Sequence, residues 1–150
     1  MSNPLRSALL EGTVTLGTWL QTPHPVVSEI LGTLDFDWVV IDCEHSEIGL
    51  SEFASVVRGL HGRRPLPVAR VRENDTLAIR QVLDLGAAGI IVPLVGTAAD
   101  AERAVAAAKY PPTGVRGFSY IRANDYGARF GEYVAHANEE IAVMAMAETR

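Results

Sequence analysis

Residues 42–45 read Asp, Cys, Glu, His, and they follow directly on the apolar run Trp38, Val39, Val40, Ile41. A buried strand seldom finishes in two acids and an imidazole, because burying an unpaired charge is costly. These residue types suit acid–base work. An imidazole next to an aspartate can be held in one tautomer and poised near neutral pH as a general base. Other polar groups stand at the ends of later apolar runs: Arg70 after "LPVA" and Glu148 after "IAVMAMA". An arginine can stabilise an oxyanion growing on a carbonyl. Carboxylates can hold a hard divalent cation that polarises the same carbonyl. Base, cation and oxyanion clamp together describe proton abstraction next to a carbonyl. The enolate so formed takes up a proton or attacks an aldehyde.

Taken singly, each group has a plainer role. His45 is then a surface loop histidine, Asp42 a brace for the loop, Arg70 a surface ion-pair partner and Glu148 a solvated acid. Cys43 is a small buried filler, since no basic cluster nearby would lower its pKa. His24, His61 and His136 read as ordinary loop or helix residues. The conjunction favours chemistry, because each polar group falls at the same end of its strand.

The elements that must position them alternate. Strands are expected at Thr13 to Leu20, Asp37 to Asp42, Leu66 to Val71, Gly89 to Val95 (its rim end at Pro93) and Ile141 to Glu148. Helices are expected at Pro25 to Leu34, Leu50 to Gly62 with Ser51 as N-cap, Asn74 to Ala87, Thr97 to Lys109 and Ala128 to Glu140. A long loop, Tyr110 to Gly127, precedes the last helix. The strands are apolar almost throughout, which suits a parallel sheet covered on both faces. The rhythm gives an α/β fold, either an open doubly wound sheet or a (β/α)8 TIM barrel. In both, active sites lie at the carboxyl ends of the strands. A barrel needs roughly 250 residues, so on the barrel reading the chain would be about five β/α units of an incomplete barrel, with residues 1–150 as the N-terminal part of one domain.

Bulk properties exclude other classes. The chain has 150 residues, 48% hydrophobic and 21% charged, with a net charge of −5. That is a globular composition, and no basic stripe offers itself to nucleic acid. No run is long and apolar enough to span a bilayer. The single Cys43 makes no internal disulfide, and the expected location is cytoplasmic. No GxGxxG or Walker motif supports nucleotide binding.

The stretches "GTWLQTPHP", "DWVVIDCEHSEIG", "LPVARVRENDTLAIRQVLDLGAAGIIVPLV", "AAAKYPPTGVRG" and "ANEEIAVMAMAET" give the chain a family likeness. It resembles the HpcH/HpaI aldolases, metal-dependent class II pyruvate aldolases. The resemblance implies a TIM barrel and a carbon–carbon lyase that cleaves a 4-hydroxy-2-oxo acid to pyruvate and an aldehyde. It implies His45 as catalytic base oriented by Asp42, and Arg70 as the residue binding the pyruvate oxygen. It implies Glu148 as a metal ligand with Glu44 near the metal's water shell, the metal being Mg2+, Mn2+ or Co2+. It also implies that Arg116 and Gly117, in "GVRG", help shape the mouth of the site and contact substrate. Small-molecule partners and a homo-oligomer, a hexamer in the family, are implied as well. The chain departs from the pattern at Met146, where family members commonly carry glutamine, and it stops before the family's second metal carboxylate. The 150 residues alone are therefore expected to be inactive. Two rival readings stay open: a citrate-lyase-like CoA-thioester lyase, and a non-catalytic remnant of such a barrel.

Overall fold

The computed structural model describes residues 3–148. Five parallel strands form one sheet: β1 (Gly17–Leu20), β2 (Trp38–Asp42), β3 (Leu66–Arg70), β4 (Gly89–Val92) and β5 (Ala142–Ala145). Their spatial order is the order of the chain. A doubly wound sheet reverses its strand order at a switch point. The unbroken order found here is that of a barrel wall.

The helices are α1 (Pro4–Glu11), α2 (Pro25–Leu31), α3 (Leu50–Gly59), α4 (Thr76–Asp84), α5 (Ala98–Ala108) and α6 (Phe130–Glu140), with a short 3-10 segment at Arg122–Gly127. Each is built from local chemistry. In α4, Ile79, Val82 and Leu83 are buried at helical spacing, and the Asp75 carboxylate accepts from the N–H groups of Leu77 and Ala78 at 2.9 Å. In α5, Thr97 and Asp100 cap reciprocally, and Ala104, Ala107 and Ala108 face the core. The expected Ser51 cap of α3 is corrected. Gly49 is the N-cap, and Glu52 accepts from its N–H at 3.2 Å. A carboxylate three residues into the helix reaches back to the cap, which the shorter Ser51 hydroxyl in the first turn does not do.

The strands alternate between two apolar layers. Val39, Ile41, Ala69, Ile90 and Val92 pack against the helices with Phe53, Val56, Ile79 and Leu83. Val40 and Val68 face the other way, with Trp38, Leu66, Ile91 and Met144 around them. Burial of each fully enclosed Ile, Leu or Phe contributes roughly 1.5–3 kcal/mol. Leu5 of α1 joins this second layer and is buried. Asn3 ties the start of α1 down, donating to the carbonyls of Ala88 at 2.7 Å and Glu140 at 2.8 Å. Ala88 directly precedes β4 and Glu140 ends α6 two residues before β5, so α1 covers the amino end of the sheet. That helix is additional to the sequence expectation. Its "SALLEG" stretch is short, and its signal lies in the Asn3 cap and the left-handed Gly12.

β1 is shorter than expected. The N–H of Leu16 donates to the Asp37 carboxylate at 2.8 Å rather than to a strand, and Val14 is fully exposed. Gly17 is required where β1 meets β2. A Cβ there would lie 2.0 Å from the Trp38 ring, whose Nε1–H donates to Thr15 Oγ1 at 3.1 Å.

Candidate active site

Asp42 and Arg70 are register partners on the last rung of β2 and β3. Val40 and Val68, two residues before them, face the inner layer, so strand alternation points Asp42 and Arg70 the same way. The Arg70 guanidinium meets the carboxylate in a fork, Nε to Oδ1 at 2.9 Å and a terminal nitrogen to Oδ2 at 2.6 Å. This geometry is the strong form of the ion pair. Oδ1 also accepts from the backbone N–H groups of Glu44 and His45 at 3.1 Å, and Oδ2 from Gln21 Nε2 at 2.8 Å. Asp42 is wholly buried. Burial alone would raise its pKa, but the bonds from Arg70, Gln21, His45 and Glu44 outweigh that and hold it well below the ordinary carboxylate range. It stays anionic and its lone pairs are taken.

The carboxylate thus folds the loop as an Asx-type turn. The Ser46 hydroxyl donates to the Asp42 carbonyl, and the Ile48 N–H donates to Ser46 Oγ at 3.0 Å. One expectation is corrected here. Asp42 holds the backbone of His45 and makes no bond to its imidazole. The imidazole stands 68% exposed at the rim, with Nε2 3.7 Å from Glu44 Oε1. Proximity in sequence suggested a side-chain pair, but the tight turn spends the carboxylate on main-chain N–H groups.

Glu44 lies against Arg70, its Oε2 3.3 Å from a terminal nitrogen. That oxygen is buried and accepts no hydrogen bond. Glu148 lies on the same rim beyond β5. Its Oε1 accepts from the Leu94 N–H at 2.9 Å, and its charge, with those of Asp42 and Glu44, acts on Arg70. The hydrogen bond to Asp42 leads these effects, and the Arg70 pKa is raised. Leu94 has φ 55 and is largely exposed. A branched side chain in the left-handed region is strained, and such strain gathers at functional sites. Here it aims a backbone donor at Glu148.

Asp42, Glu44, His45, Arg70 and Glu148 therefore share the carboxyl end of the sheet. Arg116 and Gly117 do not. Arg116 is fully buried, donates to Asp84 Oδ1 at 2.7 Å and lies 4.6 Å from the Tyr110 ring centroid. Asp84 ends α4 just before β4 begins, and Val115 and Arg116 bond back to the end of α5 through Ala106 and Lys109. The "YPPTGVRG" loop is an αβ connection at the amino end of the sheet, opposite the rim. An arginine and glycines in a long loop carry the same sequence signature at either end of a barrel, and only the topology separates them. Lys109 works nearby in the same structural way. Its buried ammonium donates to the carbonyls of Asn138 and Ile141 at the end of α6.

Two residues, Trp19 of β1 and Gln21 just beyond it, escaped the sequence reading. Trp19, paired with Val40, lies 4.7 Å from the Arg70 guanidinium, ring centroid to Cζ. Gln21 reaches Asp42. The signal was available, since Gly17, Trp19 and Gln21 alternate along one face to the same strand end. Cys43 points away, as a filler should. Burial, the largest effect, pushes its thiol pKa up to about 11.

A metal fits this rim in kind. Carboxylate oxygens are the donors a hard divalent cation takes, and Mg2+ is ordinarily held by one or two of them with water and substrate. Glu44 offers a buried oxygen without a hydrogen bond, and Glu148 a second carboxylate. Among the described residues no group of three or more His, Cys, Asp or Glu side chains gathers to hold an ion.

The HpcH/HpaI aldolase/citrate lyase profile matches residues 15–150. The chain belongs to the HpcH/HpaI aldolase/citrate lyase family. It is 40% identical over 148 residues to a 4-hydroxy-2-oxovalerate aldolase of Novosphingobium aromaticivorans, covering 98% of this chain and 56% of that protein. It is 36% identical over 149 residues to a 5-keto-4-deoxy-D-glucarate aldolase of Escherichia coli, covering 99% of this chain and 58% of the other. Among solved structures, an HpcH/HpaI aldolase/citrate lyase family protein from Burkholderia cenocepacia superposes with a TM-score of 0.90 at 30% identity, over 96% of this chain and 59% of that one. The chain thus spans little more than half the length of these relatives. No described helix is long and apolar enough to cross a membrane.

Proposed function

We propose that residues 1–150 are the N-terminal part of a single barrel domain, and that the full-length protein is a carbon–carbon lyase. It reversibly cleaves a 4-hydroxy-2-oxo acid to pyruvate and an aldehyde through a pyruvate enolate. The observation that carries this reading is the Asp42–Arg70 fork at the strand ends, with the remaining guanidinium nitrogen in an ion pair with Glu44 at 3.3 Å but in no hydrogen bond. Arg70 spends two of its five donors on Asp42 and faces Glu44 with a third group, leaving N–H donors for an oxygen in the site. A keto oxygen placed there gains negative charge as the enolate forms, and a fixed cation stabilises that charge. Asp42 neither gives nor takes a proton. It holds Arg70 and the His45 loop in place.

His45 moves the proton. In cleavage its imidazole accepts the proton of the C4 hydroxyl. The C3–C4 bond breaks, the aldehyde leaves, the bonding pair moves onto the pyruvate half as the enolate, and the imidazolium gives its proton to C3 of the enolate to yield pyruvate. In the reverse direction His45 takes a proton from the pyruvate methyl group and gives it to the new hydroxyl. Glu148, with Glu44 at its water shell, would hold a divalent cation such as Mg2+, Mn2+ or Co2+, whose charge polarises the 2-oxo carbonyl. The names of the two aldolase relatives support this substrate class. A cytoplasmic homo-oligomer is part of the same proposal.

The test is to incubate the full-length protein and a divalent metal with a 4-hydroxy-2-oxo acid in the absence of CoA, and to follow pyruvate. Pyruvate release is the expected result. Cleavage only of a CoA thioester would replace this reading with a citrate-lyase-like one. No cleavage of either would leave a non-catalytic member of the family.

A further inference from the structure

Gln21 stands one residue beyond the last rung of β1, where Leu20 pairs with Ile41. Its amide nitrogen donates to Asp42 Oδ2 at 2.8 Å and lies 3.4 Å from the His45 carbonyl oxygen. The orientation of the amide is decided by its neighbours. An ionised carboxylate and a carbonyl are both acceptors only, so the NH2 group must face them. Resting on the proposed lyase reading, we infer that Gln21 is a positioning residue for that reaction: its amide clamps the Asp42 carboxylate to the His45 loop, and so fixes Arg70 and His45 relative to one another.

The bond inventory of Asp42 supports this. Oδ1 is filled by Arg70 Nε and two backbone N–H groups, while Oδ2 is held by Arg70 and Gln21 alone. Among the described residues, Gln21, just past the end of β1, provides the single glutamine or asparagine hydrogen bond to Asp42. Without it, Oδ2 answers only to Arg70 and the His45 carbonyl loses its link to the end of β1. The joint between the arginine and the loop then rests on Oδ1 alone, and both loosen. An ordinary surface glutamine would bond water instead. This one bridges two rim groups of neighbouring elements.

The experiment compares Gln21→Met and Gln21→Glu with the wild type in the full-length protein. Methionine keeps the length and removes the donor. Glutamate keeps the shape and turns an acceptor toward an acceptor. Two readouts are taken. Hydrogen exchange of the backbone N–H groups of Glu44 and His45 should quicken roughly tenfold or more in Gln21→Met, and further in Gln21→Glu, as expected for loss of a hydrogen bond to a charged group. The amides of Ile79, Val82 and Leu83 should keep their protection, which separates a local clamp from general loosening. Exchange of the pyruvate methyl protons with deuterated water should slow by a similar factor in the same order, with the aldehyde KM unchanged. Unaltered exchange at Glu44 and His45 in Gln21→Met, or a Gln21→Glu variant equal to wild type, would overturn the inference. If the wild-type protein fails to enolise pyruvate, the lyase reading falls, and the amide exchange still decides whether Gln21 is the clamp.

Discussion

Replacing Asp42 by asparagine keeps the side-chain shape and removes one charge. The buried amide must then turn an NH2 group toward one of the donors that now surround the carboxylate: Arg70, Gln21 or the N–H groups of Glu44 and His45. Donor would face donor in a wholly buried position. Removing one partner of a buried ion pair costs about 3–5 kcal/mol. Glu44 at 3.3 Å and the nearby Glu148 still offset part of the Arg70 charge, so the expected loss of stability is about 2–4 kcal/mol at neutral pH. The pH dependence carries the sharper signature. The folded-state pKa of Asp42 lies below its unfolded value, so its contribution is complete above the unfolded pKa and is lost as pH falls toward the folded one. The gap between wild type and Asp42→Asn should therefore be constant from neutrality to roughly pH 5 and shrink below about pH 4. Urea unfolding of both proteins across that range is the assay. A variant within about 0.5 kcal/mol of wild type at pH 7, or a gap that does not narrow in acid, would refute the hub role given to this carboxylate.

His45→Ala should lower pyruvate release roughly a hundredfold, the range of a general acid–base group, with thermal stability unchanged because the imidazole is exposed; steady-state kinetics and a melting curve check it. Gly17→Ala should destabilise by about 1–3 kcal/mol, since its Cβ would enter the Trp38 ring, and denaturant unfolding measures this. Leu94→Asn should raise stability by up to about 1 kcal/mol, because asparagine tolerates the left-handed backbone and little apolar burial is lost; calorimetry reads the shift.

Much of this architecture is legible in the residues. Uninterrupted apolar strands such as Trp38–Asp42 require cover on both sides, and both layers are present. The alternation of strands and amphipathic helices left two folds open, and strand order decides between them. Asp42, Arg70 and Glu148 were found by their place at strand ends, which a linear reading gives. What sequence position does not give is the direction of a bond. Asp42 turns to main-chain N–H groups and to Arg70, not to the His45 imidazole. Nor does it give the end of the sheet on which a long loop lands, and so Arg116 pairs with Asp84 far from the rim. Gln21 shares a face with Gly17 and Trp19, but a polar residue just past the end of an edge strand reads as solvated until its partner on the next strand is known.

The central claim is that this rim makes a pyruvate enolate. The most direct measurement is proton NMR of pyruvate in deuterated water with the full-length protein and Mg2+, Mn2+ or Co2+. The account predicts metal-dependent loss of the methyl signal, slowed roughly a hundredfold in His45→Ala and not reproduced by residues 1–150 alone. A methyl signal that persists at the uncatalysed rate with the full-length protein and every one of the three metals would contradict it.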